Sequence, residues 1–273
     1  MQKITIQGVP GAFHEIAARQ YFGTDIEVVP ALSFPALFDI TASADRADAA
    51  ILAIENSIAG SILENYSLLQ HSDLIIVGEV YLRIQQNLLA LPGASFDDLR
   101  EVHSHPMALA QCGAFFKAWP DIRLVESEDT AASAASVKRN KTPHIGAIAS
   151  TLAAEIYGLQ ILAAAIETVP ENFTRFLALR RRNESQPIPN ADKVSLCFTL
   201  PHQSGSLAAV LGQLAESAAN LTKIQSVPLL GRPWEYQFYA DFTVVPEHIA
   251  PILEALGKQT TSLRTLGIYK SGN

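Results

Sequence analysis

The sequence lacks the features that mark secreted and membrane proteins. Cysteine occurs only at Cys112 and Cys197, far apart and outside any CxxC pair, so we interpret both as buried thiols of a reducing compartment. The N-terminal "MQKITIQG" has no charged stretch followed by an apolar one, as a secretory signal would. No apolar run reaches the roughly 18 residues that a membrane span requires. We therefore expect a soluble, cytoplasmic protein that does not act on a membrane.

Basic residues and the common catalytic motifs are also scarce. Lys and Arg number 20 against 27 Asp and Glu, which gives a net charge of −7, and the "RRR" at 180–182 stands alone. Such a chain has no basic stripe that could neutralise phosphates, which argues against a nucleic-acid partner. There is no GxSxG, P-loop, complete GxGxxG or HExxH motif. We therefore expect neither a metal nor another cofactor.

Hydrophobic residues, by contrast, make up 48% of the chain and follow an alternating order of strand-like and helical patterns. This order predicts an α/β architecture with parallel sheets. A long β-rich run over 73–91 is interrupted at Gly78, where we expect the strand to break. The polar stretch 180–193, punctuated twice by proline, is the best domain boundary. Beyond it the order βαββαβ predicts a second, ferredoxin-like domain.

Polar residues collect where the predicted strands end, and open α/β sheets bind ligands at such ends. In "GVPGAFHE" (8–15), helix-start N–H groups could hold an anion, although a plain turn explains the stretch at least as well. The three polar residues 55–57 follow a strand buried on both faces and exceed what a helix cap needs. Asp129 and Thr130 indicate the start of another helix, and Ser150 and Gly158 indicate the start and the end of a further one.

Two further stretches carry possible hydrogen-bond donors. In "VHSHPMALAQC" (102–112), His103 and His105 invite a metal interpretation, but no acidic or cysteine partner recurs at ligand spacing. Ser104 and Gln111 are better candidates as donors. In "PENFTRFLAL" (170–179), an amide, a hydroxyl and a guanidinium stand at the mouth of a buried strand. Such mostly neutral donors suit an anionic small molecule bound without a metal.

Taken together, these stretches resemble the prephenate dehydratase family. "IENSIAGSI", "SHPMALAQC", "DTAASAA", "IASTLAAEIYGL" and "NFTRF" occur in the family's order and spacing. "GSLAAVLGQLAESAANLTKI" and "WEYQFYADF" resemble the family's regulatory ACT domain, so the resemblance covers essentially the whole chain. It implies a two-lobed catalytic region with the fold of a type II periplasmic binding protein and the active site in the cleft, followed by the ferredoxin-like ACT domain.

The resemblance also implies domain boundaries. The catalytic domain would occupy 1–180, with lobe 1 at about 1–78 and 167–180 and lobe 2 at about 79–166. A linker at 181–192 would lead to the ACT domain at 193–273. Because no helical segment precedes "KITIQG", we expect no chorismate mutase domain in this chain.

The family converts prephenate to phenylpyruvate, water and CO2, one step before phenylalanine. Carried over by position, its catalytic residues correspond to Thr174, Asn56, Ser104, Gln111 and Glu55. Further substrate contacts are expected from Ser57, Arg175, Gly11, Ala12 and Thr130. The resemblance implies that Thr174 gives a hydrogen bond to the departing hydroxyl, whereas Asn172 shapes the turn that aims it. Arg175 stays open between binding substrate charge and forming a structural ion pair.

Some positions depart from the family's pattern. Ala12 and His14 replace the hydroxyl residues of its "GPxGTxS" turn, and Met107 stands where glutamine is usual. These changes leave Asn56 and Thr174 untouched.

The regulatory half departs more. The implied phenylalanine-site residues are Gly205, Leu207, Ala208, Asn220, Leu221 and Ser226. The family's "ESRP" reads Gln-Ser-Val-Pro at 225–228, so an acid and an arginine are lost. We expect L-phenylalanine to bind as an effector between paired ACT domains of a homodimer or homotetramer, with altered affinity or weaker coupling.

Two other functions remain open from the sequence. Arogenate dehydratase acts on the amino analogue of prephenate, and the residues do not separate an α-keto from an α-amino contact. A non-catalytic amino-acid sensor could share the same domains. The joint presence of Asn56, Ser104, Gln111 and Thr174 favours an enzyme.

Overall fold

The computed structural model describes residues 1–229 and 231–272, which form two compact units. Unit 1 contains Met1–Ser61 and Tyr81–Phe176, and unit 2 contains Ile62–Val80 and the chain from Leu177 onward. Contacts therefore group 62–80 with the C-terminal part of the chain, whereas the sequence assigned residues up to about 78 to lobe 1. The lobe and linker boundaries stay a prediction.

The N-terminal part of unit 1 is built on a parallel sheet. Its elements are β1 (Gln2–Gln7), α1 (Phe13–Phe22), β2 (Ile26–Ala31), α2 (Phe34–Ala42), β3 (Ala49–Asn56) and the short β4 (Gly60–Ser61). β1 lies between β2 and β3 and runs parallel to both. β11 (Phe173–Arg181) joins the free edge of β3. The run "AAILAI" of β3 is buried throughout, as the sequence indicated for a central strand.

The second sheet of unit 1 has five strands in the order β10-β6-β9-β7-β8. Its strands are β6 (Asn87–Ala90), β7 (Glu101–Ser104), β8 (Arg123–Glu126), β9 (Ile145–Ala149) and β10 (Gln160–Ala163). Its helices are α4 (Pro106–Gln111), α5 (Gly113–Phe116), α6 (Thr130–Asn140) and α7 (Thr151–Tyr157). β7, β8 and β9 are parallel, but β6 and β10 are antiparallel to their neighbours, so the sheet is mixed rather than parallel throughout.

Unit 2 contains the predicted ferredoxin-like order. β12 (Lys193–Thr199), α8 (Ser206–Glu216), β13 (Asn220–Pro228), β14 (Tyr236–Thr243), α9 (Pro246–Gln259) and β15 (Ser262–Tyr269) follow one another as βαββαβ. The unit also holds α3 (Leu63–His71) and most of β5 (Leu74–Arg83), which pairs with β15. The strand order is β13-β14-β12-β15-β5, and the helices cover a core around Val194, Phe198 and Phe242.

The expected strand break at Gly78 is wrong. β5 continues through this glycine to Arg83, and the interruption lies at 84–86. Gly78 is buried within the strand and keeps a negative φ, so backbone pairing overrides the low strand preference of glycine.

The predicted helix boundaries near Asp129 and Ser150 are confirmed. The Asp129 carboxylate accepts from the Ala132 N–H at 2.7 Å, and the Ser150 hydroxyl accepts from the Ala153 N–H at 3.0 Å. Gly158 ends α7 in the left-handed conformation. Among the helices of residues 1–229 and 231–272, none has the length and hydrophobicity of a membrane span.

Candidate active site

The amide of Asn56 organises the start of β11. Its Nδ2 donates to Asn172 Oδ1 at 2.7 Å and to Thr174 Oγ1 at 2.9 Å. Its Oδ1 accepts from the N–H groups of Ile58 and Ala59 at 3.0 and 2.8 Å. These two N–H donors establish which side-chain atom of Asn56 is the oxygen and which is the nitrogen, because an N–H cannot donate to an NH2 group. Asn56 is therefore fully occupied within the protein and positions its neighbours.

Thr174 is left with its proton available. The side chain is 8% exposed, and its Oγ1 accepts from Asn56. A hydroxyl that accepts through a lone pair can still donate its own hydrogen. Within the described ranges, no contact in the structure accepts that hydrogen. Thr174 can thus donate to a ligand while Asn56 holds its oxygen in place.

Asn172 connects this pair to Gln111. It is fully buried, and its Nδ2 donates to Gln111 Oε1 at 3.0 Å. Because Oε1 is occupied, the Nε2 amide end of Gln111 faces away from Asn172 and can donate to a ligand. The sequence interpretation gave Asn172 only a turn-shaping role. The network instead makes it the bridge between two predicted catalytic residues, and nothing in the sequence signals a pairing across 61 positions.

Ser57, which is exposed, also bonds to the chain at the start of β11. Its N–H donates to the Phe173 carbonyl at 2.8 Å, and its Oγ accepts from the Phe173 N–H at 2.9 Å. The hydroxyl also donates to the Glu171 carbonyl at 3.1 Å. These bonds clamp the loop that precedes β11, and the substrate contact expected of Ser57 stays a prediction.

Ser104 is used inside the protein. The side chain is fully buried, and its Oγ donates to the Ile148 carbonyl at 2.7 Å, joining the ends of β7 and β9. The structure therefore does not present this hydroxyl proton to a ligand. The direct role in holding substrate that the family pattern implies stays a prediction.

The glycine turn after β1 packs tightly against α7. Gly11 has a φ of 90°, and a Cβ at this position would lie 2.8 Å from the Cα of Ala153. Its N–H donates to Glu15 Oε2 at 2.7 Å, and its carbonyl accepts from Ser150 Oγ at 2.6 Å. The N–H that the sequence offered to an anion is thus taken by a carboxylate of the protein.

The two neighbours that replace the family's hydroxyl residues are also turned inward. Ala12 donates its N–H to the Val9 carbonyl at 3.1 Å. His14 is 9% exposed and packs edge-on against Phe176, with ring centroids 5.0 Å apart. Its Nε2 has no hydrogen-bond partner among the described residues. Burial lowers the pKa of His14 from 6.5 to about 3, so the imidazole is neutral.

Asp129 lies beside the same turn. A Cβ on Gly8 would be 2.9 Å from its Oδ2, so the carboxylate contacts the end of β1. Burial raises the pKa of Asp129, and hydrogen bonds from N–H groups at the start of α6 oppose that shift. Thr130, the first residue of α6, is half-buried next to it.

Glu55 and Arg175 flank the amide network along their strands. Glu55 is half-buried near the end of β3 and lies opposite Ser61 in β4. Arg175 is 5% exposed in β11 and interacts with other groups of the protein. Their roles toward substrate stay open.

The two histidines of "VHSH" make separate contacts. His103 Nε2 lies 2.9 Å from Glu101 Oε2 on the strand, whereas His105 Nδ1 accepts from the Met107 N–H at 3.2 Å as the cap of α4. Each contact is local, so neither histidine needs a metal to explain its position.

Comparison with known proteins decides which family this site belongs to. The family model for prephenate dehydratase matches residues 4–184, a range that contains the whole amide network. The chain belongs to the prephenate dehydratase family. It is an enzyme of this class, a carbon–oxygen lyase that eliminates water.

Individual relatives of this dehydratase are similar to it in sequence or structure over nearly the whole chain. Arogenate dehydratase/prephenate dehydratase 2 of Arabidopsis thaliana is 38% identical over 280 residues, covering 98% of this chain and 72% of the relative. The prephenate dehydratase of Arthrobacter aurescens in complex with L-Phe has a TM-score of 0.87 and 29% identity, covering 98% of this chain and 90% of that one. GqqA, described as a novel type of quorum quenching acylase, has a TM-score of 0.89 and 33% identity, covering 99% and 98%.

The six residues predicted to form a phenylalanine site lie in unit 2. Gly205 precedes α8 with a φ of 86°, and Leu207 lines a cavity of about 120 Å³ together with Tyr236 and Phe238. Asn220 begins β13. Within β13, Leu221 is half-buried and Ser226 is exposed; Ala208, on α8, is also exposed. The six predicted phenylalanine-site residues therefore fall on the start of α8 and on β13, and their binding role stays a prediction.

Proposed function

We propose that this enzyme converts prephenate to phenylpyruvate, water and CO2 in L-phenylalanine biosynthesis. The observation that carries the proposal is the state of Thr174: Asn56 donates to its oxygen, and no described residue accepts its proton. In the same network, Asn172 anchors Gln111 through its oxygen, and the Nε2 N–H groups of Gln111 have no partner among the described residues. Two fixed neutral donors suit an anionic substrate that must lose a hydroxyl group.

The chemistry needs little more from the protein. Breaking the bond between the ring and its carboxylate releases CO2 and leaves an electron pair, which aromatises the ring and expels the ring hydroxyl. One proton joins the departing hydroxide to give water, so prephenate dianion plus a proton yields the phenylpyruvate anion, CO2 and water. Aromatisation supplies the driving force, and the enzyme has to position the dianion and stabilise the leaving oxygen.

Thr174 is suited to the second task. A threonine hydroxyl is too weak an acid to protonate hydroxide outright, so it acts through a hydrogen bond that strengthens as the C–O bond breaks. The bond from Asn56 to its oxygen polarises the hydroxyl and makes it a better donor. One such donor is worth about 3 to 4 kcal/mol, the magnitude of an oxyanion-hole contact.

Arogenate is the main alternative substrate. It differs from prephenate by an amino group in place of the keto oxygen, and the same leaving-group contact would serve both. The Arabidopsis relative carries both activities in its name. Glu55, which precedes Asn56 in β3, and Asp129, whose Oδ2 lies beside Gly8, are carboxylates that could contact an amine.

An acylase activity like that named for GqqA is less favoured. Acyl transfer through a side chain needs a nucleophile activated by a base or a lowered pKa. Burial raises the pKa of Cys112 to about 12 and that of Cys197 to about 11. In the part of the chain that the structure describes, His71, His103 and His105 contact a carbonyl, a carboxylate and an N–H rather than a hydroxyl.

We also propose control by L-phenylalanine in an oligomer. Support comes from the bound L-Phe of the Arthrobacter aurescens enzyme and from the exposed edge of β13, along which exposed and half-buried residues alternate. β13 stands at the end of the strand order, and an edge strand favours pairing with a second copy, as a homodimer or within a homotetramer.

The direct test is turnover by the purified protein at neutral pH. Prephenate, arogenate and an acyl-homoserine lactone are supplied separately, and phenylpyruvate absorbance, phenylalanine and free homoserine lactone are measured. The proposal expects prephenate to give phenylpyruvate with CO2 in equal amount. If only arogenate were turned over, the substrate would be arogenate and not prephenate. If neither compound were dehydrated, the proposal would be refuted.

A further inference from the structure

Two segments lead into and out of the five-stranded sheet of unit 1, and a buried carboxylate lies between them. We define the crossing segments as residues 83–86, which comprise the last residue of β5 and the link to β6, and 164–172, which lead from β10 to β11. The side chain of Glu167 on the second segment is 1% exposed. Its Oε2 accepts from the Gln86 N–H of the first segment at 2.9 Å.

Backbone bonds join the segments around this carboxylate. The Ile166 N–H donates to the Gln86 carbonyl at 2.8 Å, and the Ile84 N–H donates to the Asn172 carbonyl at 2.7 Å. Arg83 Nε donates to the Pro170 carbonyl at 2.9 Å. Glu167 therefore lies buried among the hydrogen bonds that join the two segments, and the last of these bonds is made by Asn172.

The carboxylate is not fully satisfied in this arrangement. Glu167 Oε1 has no hydrogen-bond partner in the described part of the chain, and the nearest cation is Arg83 Nη2 at 3.8 Å. Burying a carboxylate with an unsatisfied oxygen costs free energy, and an apolar residue at this position would avoid that cost. The presence of Glu167 here therefore indicates a role other than packing. Its position next to the candidate active site supplies one.

The segment that carries Glu167 fixes Gln111 from two sides. Thr168, the next residue, donates its N–H to the Gln111 carbonyl at 2.8 Å. Asn172, four residues further, donates to Gln111 Oε1 at 3.0 Å. The charge of Glu167 also reaches this helix end, since it adds to the effect of burial in raising the pKa of Cys112.

We propose that Glu167 is a positioning residue that anchors 166–172 to Gln86 and Arg83, so that Thr168 and Asn172 hold Gln111 and Thr174 in place for the reaction. The inference rests on the proposed function, because it concerns the same site. Since Glu167 acts through other residues and not on the substrate, its loss should lower kcat more than it raises KM.

The first test uses Glu167→Gln, which keeps the shape and an acceptor for Gln86 but removes the charge. We expect kcat to fall about tenfold with KM changed less than about threefold. Glu171→Gln is the matched control, because Glu171 lies on the same segment with an exposed carboxylate; its kcat should stay within about twofold. A folded Glu167→Gln protein with unchanged kcat, or an equal loss in the control, would overturn the proposal.

Arg83→Gln tests the partner, which is 44% exposed and thus tolerant of change. Arg83 and Glu167 are proposed to act together in holding the same segment. The Arg83→Gln/Glu167→Gln double variant should therefore lose no more kcat than the single variant with the larger loss. Independent, multiplying losses would contradict the coupling.

Hydrogen exchange of Glu167→Ala gives a readout that does not depend on turnover. The amides of 84–86, 166–169, 171 and 172 should exchange faster than in the unsubstituted protein, whereas Glu171→Ala should leave them unchanged. Unchanged exchange would refute the anchoring role. If the unsubstituted protein dehydrated neither substrate, the proposed function would fail while this comparison still decided whether Glu167 anchors the segment.

Discussion

Asn172 is the residue whose role in the structure differs most from the role that the sequence predicts, and its substitution should affect both stability and turnover. Asn172→Ala removes the acceptor at 2.7 Å from Asn56 and the donor at 3.0 Å to Gln111. Each hydrogen bond contributes about 0.5–1.5 kcal/mol, so we expect the free energy of unfolding to fall by about 1–3 kcal/mol. Asn56 and Gln111 would also lose their shared support, and kcat should fall about 10- to 100-fold.

A second substitution separates shape from hydrogen bonding. Asn172→Asp keeps the acceptor for Asn56 but faces Gln111 Oε1 with another acceptor and places a charge at a fully buried position. We expect it to lose at least as much activity as Asn172→Ala. Asn140→Ala is the control, since this exposed amide makes one bond to Ser136 at 3.1 Å and its loss should cost less than about 0.5 kcal/mol.

The measurements are urea unfolding and steady-state turnover of prephenate at saturating concentration. If Asn172→Ala unfolded at the same urea concentration as the unsubstituted protein and kept its kcat, the amide network would have no part in the mechanism. Loss of stability with full retention of kcat would assign Asn172 to the fold alone.

Three further predictions concern acid stability, the glycine turn and regulation. The depressed pKa of His14, about 3 against 6.5 when unfolded, means that the unfolded chain binds the extra proton, so stability is present above pH 6.5 and falls as pH drops toward 3. At pH 5 the loss is about 2 kcal/mol relative to pH 7.5, and His14→Leu should lose that part of the slope in urea unfolding. Gly11→Ala should lower the melting temperature, because its φ of 90° and the 2.8 Å approach to Ala153 exclude a Cβ. A Cβ on Gly212 within α8 would meet no described atom within 4 Å beyond its own helix backbone, so Gly212→Ala should be neutral or stabilising. Restoring the family's charged pair with Gln225→Glu and Val227→Arg should tighten inhibition by L-phenylalanine in a titration of activity, and unchanged inhibition would show that the pair is irrelevant.

Much of the fold could be predicted from local signals. The βαββαβ order of unit 2, the fully buried β3, and the helix starts at Asp129 and Ser150 all follow from periodicity and capping, which depend on residues close in sequence. The break predicted at Gly78 does not occur, because strand pairing, a long-range effect, overrides the local preference of glycine.

The candidate site was predicted less completely for the same reason. Residue type and position indicated Asn56, Gln111 and Thr174 as donors, but which atom donates depends on partners far along the chain. For example, the Ser104 hydroxyl donates to the Ile148 carbonyl, and the Gly11 N–H donates to the Glu15 carboxylate. Hydrogen bonds between distant side chains leave no periodic trace in a sequence, so the bridging role of Asn172 could be found only in the folded chain.

The central claim is that the free hydroxyl proton of Thr174 assists loss of the leaving hydroxyl, and paired substitutions test it most directly. Thr174→Val keeps the volume and removes the hydroxyl, whereas Thr174→Ser keeps the hydroxyl. With prephenate as substrate, we predict that Thr174→Val lowers kcat about 10²- to 10³-fold, equivalent to 3 to 4 kcal/mol, while Thr174→Ser stays within about tenfold and both proteins remain folded. A Thr174→Val protein that forms phenylpyruvate at close to the unsubstituted rate would contradict the claim.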